Sequence, residues 1–520
     1  MFILIFITGL MAQPNIQWQK CFGGTFEEYA NSIQQTTDGG YIVAGLTFSN
    51  DSDVSGNNGA YDYWVVKLTS IGSIQWQKCF GGNSHDLAYS IRQTSDGGFI
   101  VAGKALSSDS NLAGNHGNDD FWVIKLTPTG SIQWQKCLGG SGEDDAQSIQ
   151  QTVDGGFIVV GYTYSNDSDV SGNHGYYDYW IVKLSSSGSI QWQKCLGGSD
   201  DDEAQAIQQT SDTGYIVAGF CSSNDGDVSG NHGNKDFWVV KLNATGSIQW
   251  QKCLGGSDDD EAKSIQQTSD GGYIVAGDTY SNDSDVSGNN GNRDFWIVKL
   301  AASGTIQWQK CLGGSEFEYA KSIKQTTDGG YIVAGVTPSN DSDVTFNHGG
   351  GDLWVVKLTP ASSIQWQKCF GGSGEDGAQE IQQTTDGGYI VAGNTFSNDG
   401  DVSGNHGNRD FWVVKLGPFV GIEEVNNFLS AITITPNPIT QSAIISFSLF
   451  QKRKITINVY DIAGRLIKTL LHSEFEMGLH SLTWDGSDYK GKSVENGIYL
   501  LCISTENRTE TKMIEFVKKL

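Results

Sequence analysis

The residues best placed to do chemistry are oxygen donors. Asp51, Asp53 and Ser55 fall in the stretch Asp51-Ser52-Asp53-Val54-Ser55-Gly56-Asn57, and Asp62 follows eleven residues after Asp51. Oxygens at loop positions 1, 3, 5 and 12 around a glycine at 6 have the spacing of an EF-hand loop, because Ca²⁺ takes six to eight oxygen ligands and needs a sharp turn to gather them. The set recurs as Asp109, Asn111 and Asp120; Asp167, Asp169, Ser171 and Asp178; Asp225, Asp227, Ser229 and Asp236; Asp283, Asp285, Ser287 and Asp294; Asp341, Asp343 and Asp352; and Asp399, Asp401, Ser403 and Asp410. It departs from the pattern in having Val54, an Asp at position 12, Asn111 with Ala113 in the second copy, Phe346 in place of glycine in the sixth, and no flanking helices. Two readings are open: a Ca²⁺ ion that stiffens each loop, or Asx residues that only make turns.

Five histidines tempt. His116, His174, His232, His348 and His406 share one loop position with Asn58 and Asn290, each before a glycine. Asn and His both tolerate left-handed backbone, so a turn role is expected there rather than a metal ligand. No Ser-His-Asp, Cys-His or paired-carboxylate constellation stands apart from the repeat, and a non-enzymatic protein is expected. A further acid precedes an alanine by two residues in every copy: Glu28, Asp86, Asp144, Asp202, Asp260, Glu318 and Asp376. It shares a face with the long loop, where carboxylates without counterions would repel; that favours the cation.

These residues sit on a 58-residue unit that recurs seven times, marked by Trp18, Trp76, Trp134, Trp192, Trp250, Trp308 and Trp366. A fixed period of this size signals a repeat architecture. In the first copy Ser32 to Thr36, Tyr41 to Thr47, Tyr63 to Leu68 and Ile74 to Phe80 have strand composition. Thr37-Asp38-Gly39-Gly40 is a hairpin signal, and no segment has a helical period. Each copy reads as a four-stranded antiparallel sheet with one long connection between its second and third strands. The first IQWQKC strand has no sheet of its own, and the last sheet lacks its fourth strand. Pairing the two closes a ring, so residues 16–416 are expected to form an all-β, seven-bladed β-propeller. A second Trp series from Trp64 to Trp412 could offer glycan platforms, but fixed positions within strands favour a core role.

Residues 1–12 resemble a secretory signal peptide and are too short to span a bilayer. Seven of the nine cysteines (Cys21, Cys79, Cys137, Cys195, Cys253, Cys311, Cys369) occupy one repeat position and lie whole blades apart. They are expected to be free thiols, with Cys221 and Cys502 also unpaired. The chain carries 33 basic and 59 acidic residues; residues 431–520 hold 11 and 9 of them, leaving 22 and 50 for the rest. That acidity disfavours nucleic acid as a partner. A monomer without a transmembrane span is expected.

After a linker at 417–430, residues 431–520 alternate short β-rich runs with turns, as in a small Ig-like sandwich of about seven strands. Pro436-Asn437-Pro438, Val459-Tyr460-Asp461 with Gly464-Arg465, Gly478-Leu479-His480 with Trp484-Asp485-Gly486, Asn496-Gly497-Ile498-Tyr499 and Lys518-Lys519 follow in order. In these motifs the segment resembles the type A C-terminal sorting domain of type IX secretion. The resemblance implies export across both membranes of a Gram-negative cell, with the type IX machinery as partner, to a secreted or surface location. The functional expectation is a binding or adhesion module for extracellular glycan or protein. The alternatives are a polysaccharide-degrading enzyme with its site at the channel mouth and a passive surface-layer component.

Overall fold

The computed structural model describes residues 14–108, 114–418, 432–449, 453–475, 478–504 and 509–518. Asp109, Asn111, the expected signal segment and most of the expected linker lie outside these. The chain divides into two units, Gln13–Phe419 and Val420–Leu520. All regular structure among the described residues is β, and none of it is a helix long and apolar enough to cross a membrane.

The first unit opens with β1 (Ile16–Phe22), β2 (Glu28–Gln35), β3 (Tyr41–Thr47), β4 (Asp62–Leu68) and β5 (Ile74–Phe80). Strands β2 to β5 form an antiparallel sheet in sequence order, and five more copies repeat it. The seventh sheet is built from Asp376–Gln383, Tyr389–Thr395 and Asp410–Leu416, and β1 is its fourth strand, with Ile16 opposite Leu416 and Cys21 opposite Trp412. The expected closure is therefore present. β2 begins four residues earlier than its composition suggests: the Glu28 amide donates to Arg409 O of the preceding blade at 2.6 Å, and a bulge between Ala30 and Ser32 absorbs the misfit.

Both faces of β3 and β4 are buried at every residue. The indoles equivalent to Trp64 carry no more than 2% exposure and stack on the preceding blade, Trp64 on Phe411 at 4.5 Å and Trp122 on Tyr63 at 4.5 Å. They are core, as their spacing suggests, and each contributes on the order of 3–5 kcal/mol. The Asp-Gly-Gly hairpin is tied to β4 by a buried lysine: Lys67 Nζ lies 3.0 Å from Asp38 Oδ2 and donates to Leu68 O. Asp38, with Thr36, Lys67 and the Gly40 amide bonded to it, is held down to about 2 although its burial acts the other way.

Strands equivalent to β2 meet round the central channel, and their Ile-Gln-Gln triplets join neighbouring blades. The first glutamine accepts from the next blade, Gln93 N to Gln34 Oε1 at 2.6 Å. The second accepts from the preceding blade, Thr37 N to Gln93 Oε1 at 2.9 Å, and this bond is made at every junction, Thr385 to Gln35 closing the ring. The nine cysteines are all free, as expected. One contact was not foreseen: Cys221 Sγ lies 3.2 Å from Cys253 Sγ across a single sheet. Two inter-strand steps of about 4.8 Å separate their backbones, too far for a relaxed disulfide.

In the second unit, Thr433–Thr435, Ala443–Leu449 and Gly478–Trp484 form one sheet. Leu466–Phe475, Arg453–Asp461, Gly497–Ser504 and Thr509–Phe516 form the other. Ile445, Phe447, Ile457, Trp484, Leu501 and Phe516 fill the core between them. The ordered motifs hold this sandwich together: Asn437 bonds Met513 O and the Glu515 amide, Trp484 Nε1 donates to Ser487 O, and Asn496 Oδ1 accepts the Lys518 amide.

Removing residues 14–22 leaves Asp410–Leu416 as an open edge. We expect a lower melting midpoint and association by light scattering; an unchanged monomer would contradict the role assigned to β1.

Candidate binding face

The long β3–β4 connection and the β5-to-next-blade connection lie together on one face, tied by Thr25 N and Oγ1, which both donate to Asp51 at 2.9 Å. Asp167, Asp225, Asp283, Asp341 and Asp399 make the equivalent backbone bond at 2.7–2.8 Å. The other residues of the EF-hand-like spacing turn elsewhere. Ser55 Oγ accepts from Gln77 Nε2 at 2.6 Å, as Ser171, Ser229, Ser287 and Ser403 do from their own glutamines. Asp53 Oδ2 lies 3.8 Å from His406 of the preceding blade, and Asp401 stands likewise 3.9 Å from His348. Asp62, Asp120, Asp178, Asp236, Asp294, Asp352 and Asp410 are fully buried at the start of their strands. Each accepts a loop backbone amide, Asn58 N to Asp62 at 2.9 Å for example. Positions 1, 3, 5 and 12 thus do not converge on one point, and among the described residues no group of three or more His, Cys, Asp or Glu is poised for a metal.

The histidines are not left-handed. The positive φ falls instead at glycines two residues earlier, such as Gly56, Gly172 and Gly404, and at the head of the loop at Ser52, Ser168, Ser284, Ser342, Gly226 and Gly400. Each histidine is fixed by its Nδ1, 2.5–2.8 Å from the buried Asp four residues on.

A constellation that spacing did not reveal lies beneath this face. The buried Asp of one blade meets the β2-type acid of the next behind the first glycine of each Gly-Gly pair: a Cβ on Gly255 would stand 2.5 Å from Asp260 Oδ2 and 2.7 Å from Asp236 Oδ1. Only glycine fits there. The partners stand 24 residues apart in sequence, as Asp236 and Asp260 do, except at the closure, where Glu28 near the start of the ring meets Asp410 near its end. Burial is the main cause that pushes Asp202, Asp260 and Asp294 up to about 7 and Asp120 to about 6. A proton thereby relieves the repulsion expected between these acids. Sealed under glycine at no exposure, the pairs brace the junctions and do not meet solutes.

The copies differ in the exposed turns at 69–71 and their counterparts, and also at three positions near the channel mouth. One follows the β2 acid: Tyr29, Leu87, Asp145, Glu203, Glu261, Tyr319, Gly377. Its β3 partner in register is Leu46, Lys104, Tyr162, Phe220, Asp278, Val336 or Asn394. A third precedes the β4 Asp: Tyr61, Asp119, Tyr177, Lys235, Arg293, Gly351, Arg409. They contact one another between blades. Lys104 bridges Asp119 and Asp145 at 3.0 and 3.1 Å, Lys235 pairs with Glu261 at 3.0 Å, and Arg293 pairs with Asp278 and lies over Tyr319. Exposure does not explain the variation: Asp145 and Asp278 are 4% and 1% exposed, whereas exposed Gln17 and Lys20 have the same residue type in every copy.

Inside, the channel widens to a cavity of about 590 Å³ lined largely by glutamines. Arg92, Lys324 and Glu380 break its symmetry. Arg92 lies 2.8 Å from Glu380, which also accepts from Ser32 Oγ and Ile33 N. Burial pulls the Glu380 carboxyl up, but Arg92 and Lys324 outweigh it and hold it below the usual range.

The family described as FlgD Ig-like domain matches residues 439–509, so the second unit is Ig-like in sequence as well as in fold. Basal-body rod modification protein FlgD of Salmonella typhimurium is 39% identical over 54 residues, 10% of this chain and 23% of that protein. Regulatory protein FlaEY of Caulobacter vibrioides is 27% identical over 302 residues, 52% of this chain and 31% of that protein. The chain spans less than a third of the length of these curated relatives. Among solved structures, Sqt1 from Chaetomium thermophilum covers 78% of this chain and all of its own at 10% identity and a TM-score of 0.40. PorZ, a surface component of the type IX secretion system of Porphyromonas gingivalis, covers 92% of this chain and 69% of its own at 11% identity and a TM-score of 0.28.

Carboxyls raised by burial keep their proton in the folded state between about pH 4 and 7 and lose it in the unfolded state, so their contribution falls as pH rises through 7. Asp294, whose loop partner is Asn290 rather than histidine, is the clean test. Asp294→Asn should raise the melting midpoint by several degrees at pH 8 and change it little at pH 4; equal shifts at both would contradict the pairing.

Proposed function

We propose that the propeller is a non-enzymatic binding or adhesion module that takes an extracellular glycan or protein on the face around its channel mouth. The observation that supports this reading is the set of copy-specific residues there, which contact one another between blades round the channel mouth. Seven similar loop sets also favour multivalent contact, which raises avidity without any one tight site. The ordered motifs from Pro436 to Lys519 support export by the type IX machinery and a secreted or surface location. In this reading residues 431–520 are an address and the propeller is the cargo.

Calcium belongs to the same proposal as a structural ion. Asp51, Asp167, Asp225, Asp283, Asp341 and Asp399 are exposed on the long loops, and an ion held there would stiffen the face without taking part in chemistry.

Two measurements test the reading. Exchanging the copy-specific triad of one blade for that of another, for instance Tyr61→Arg, Leu46→Asn and Tyr29→Gly after Arg409, Asn394 and Gly377 of the seventh blade, should change binding on glycan and protein arrays. Replacing exposed Gln17 or Lys20 should not; the reverse pattern would sink the proposal. Added Ca²⁺ should raise the melting midpoint of the full chain relative to chelator, since a ligand held only by the native state stabilises it. No shift would leave the loop acids as turn-makers.

A further inference from the structure

One junction between blades is unlike the rest. Elsewhere a large side chain before the β4 Asp faces another after the next β2 acid, as Lys235 faces Glu261 and Arg409 lies 4.6 Å over Tyr29. Between the sixth and seventh blades both positions are glycine, Gly351 and Gly377, with only Val336 between them. The result is a cleft of about 480 Å³ opening on the binding face, within the size range of small-molecule sites. Its walls are largely aromatic: Phe317 and Tyr319 stand on one side, and on the other lies Tyr29 with Arg409 stacked over it; the two acids in the lining are Glu375, paired with Arg409 at 3.2 Å, and the buried Asp376.

At its inner end the cleft reaches Lys321, which also lines the channel. The Lys321 ammonium lies 5.9 Å from the Tyr319 ring centre and has no hydrogen-bond or ion-pair partner among the described residues. In a chain with 59 acidic and 33 basic residues, a sheltered cation without a counterion is conspicuous, since an uncompensated buried charge is costly. Burial and the nearby Lys263 push its pKa down against the opposing pull of Asp278 and Glu261, and a carboxylate brought into contact would favour the charged form. Gln379 and the largely buried Asn394 add amides that likewise have no partner among the described residues.

We propose that this cleft binds an acidic sugar residue of an extracellular polysaccharide, its ring against the aromatic wall and its carboxylate on Lys321. The inference rests on the reading of this face as a binding surface. Aromatic faces suit the apolar side of a pyranose, the amides suit its hydroxyls, and the open lip lets the chain run on in both directions. An ammonium–carboxylate hydrogen bond supplies the selectivity for acid over neutral sugar.

The probes are tetramers of galacturonate, glucuronate and mannuronate, their methyl esters, and a neutral glucose tetramer, titrated calorimetrically into the full chain. At least one uronate tetramer should bind ten-fold or more tightly than its ester. Lys321→Gln installs the residue already present at Gln147, Gln205 and Gln379, so the fold is preserved, and it should abolish that preference. Gly351→Arg installs the residue of Arg293 and Arg409, and it should close the cleft and weaken acid and ester alike. Equal binding of uronate and ester, a preference that survives Lys321→Gln, or no uronate binding at all would overturn the inference. The wider reading of the face fails separately, only if triad exchange also leaves array binding unchanged.

Discussion

A sheet whose two central strands are buried on both faces cannot stand alone. Tyr41–Thr47 and Asp62–Leu68 offer water no polar side, so each blade needs a neighbour on either flank, and a row of such blades ends in two exposed apolar surfaces. Ring closure removes both. It depends on β1, which leaves its own repeat to pair with Asp410–Leu416 and converts an edge into the fourth strand of the seventh sheet. The tilted Trp contacts and the glutamine bonds between blades are the means by which identical neighbours fit, since one residue type must serve at seven equivalent junctions.

Dense packing forces polar groups at the junctions to be satisfied on the spot. Most residues that look chemical are therefore structural here. Glu28 accepts from Gly24 N, Thr47 Oγ1 and Ser49 N, holding two connections at once. Asp62 and its counterparts anchor the long loop from beneath, and the histidines brace them. The repeat uses its acids to shape the face.

The architecture was legible because its signals are redundant. Six copies of Asp-Gly-Gly, with Asp212-Thr213-Gly214 in the fourth, and seven each of the strand ending in Lys-Leu and of the IQWQKC strand reinforce one another, and the unpaired first strand announces the closure. Register and loop chemistry were less so. The EF-hand spacing of Asp51, Asp53, Ser55 and Asp62 counts residues along the chain, whereas their partners lie in different places: Thr25 in the preceding connection, His406 in the preceding blade, Gln77 on β5 and the Asn58 amide in the same loop. The carboxylate pairs escaped for the same reason, since each joins acids of different repeats. The glycine at the head of every Gly-Gly pair was their trace, as a position where a side chain cannot be accommodated.

The sixth–seventh junction is where these principles part. Glycine in a strand costs on the order of 0.5–1 kcal/mol relative to alanine. Gly377 lies in a strand and Gly351 directly precedes one. Space left open between them forgoes the packing gained at every other junction, and Lys321 beside it is a sheltered charge that makes no ion pair among the described residues. Three unfavourable choices converge on one cleft in a chain that otherwise repeats its favourable ones with little change. Local choices that conflict with stability are expected where function imposes them. Because the scaffold is symmetric, a single junction can depart from it without disturbing the other six: the long-range bond from Thr327 N to Gln383 Oε1 is retained directly below the opening. The ring thus carries the stability, and the one junction that forgoes it is free to hold a ligand.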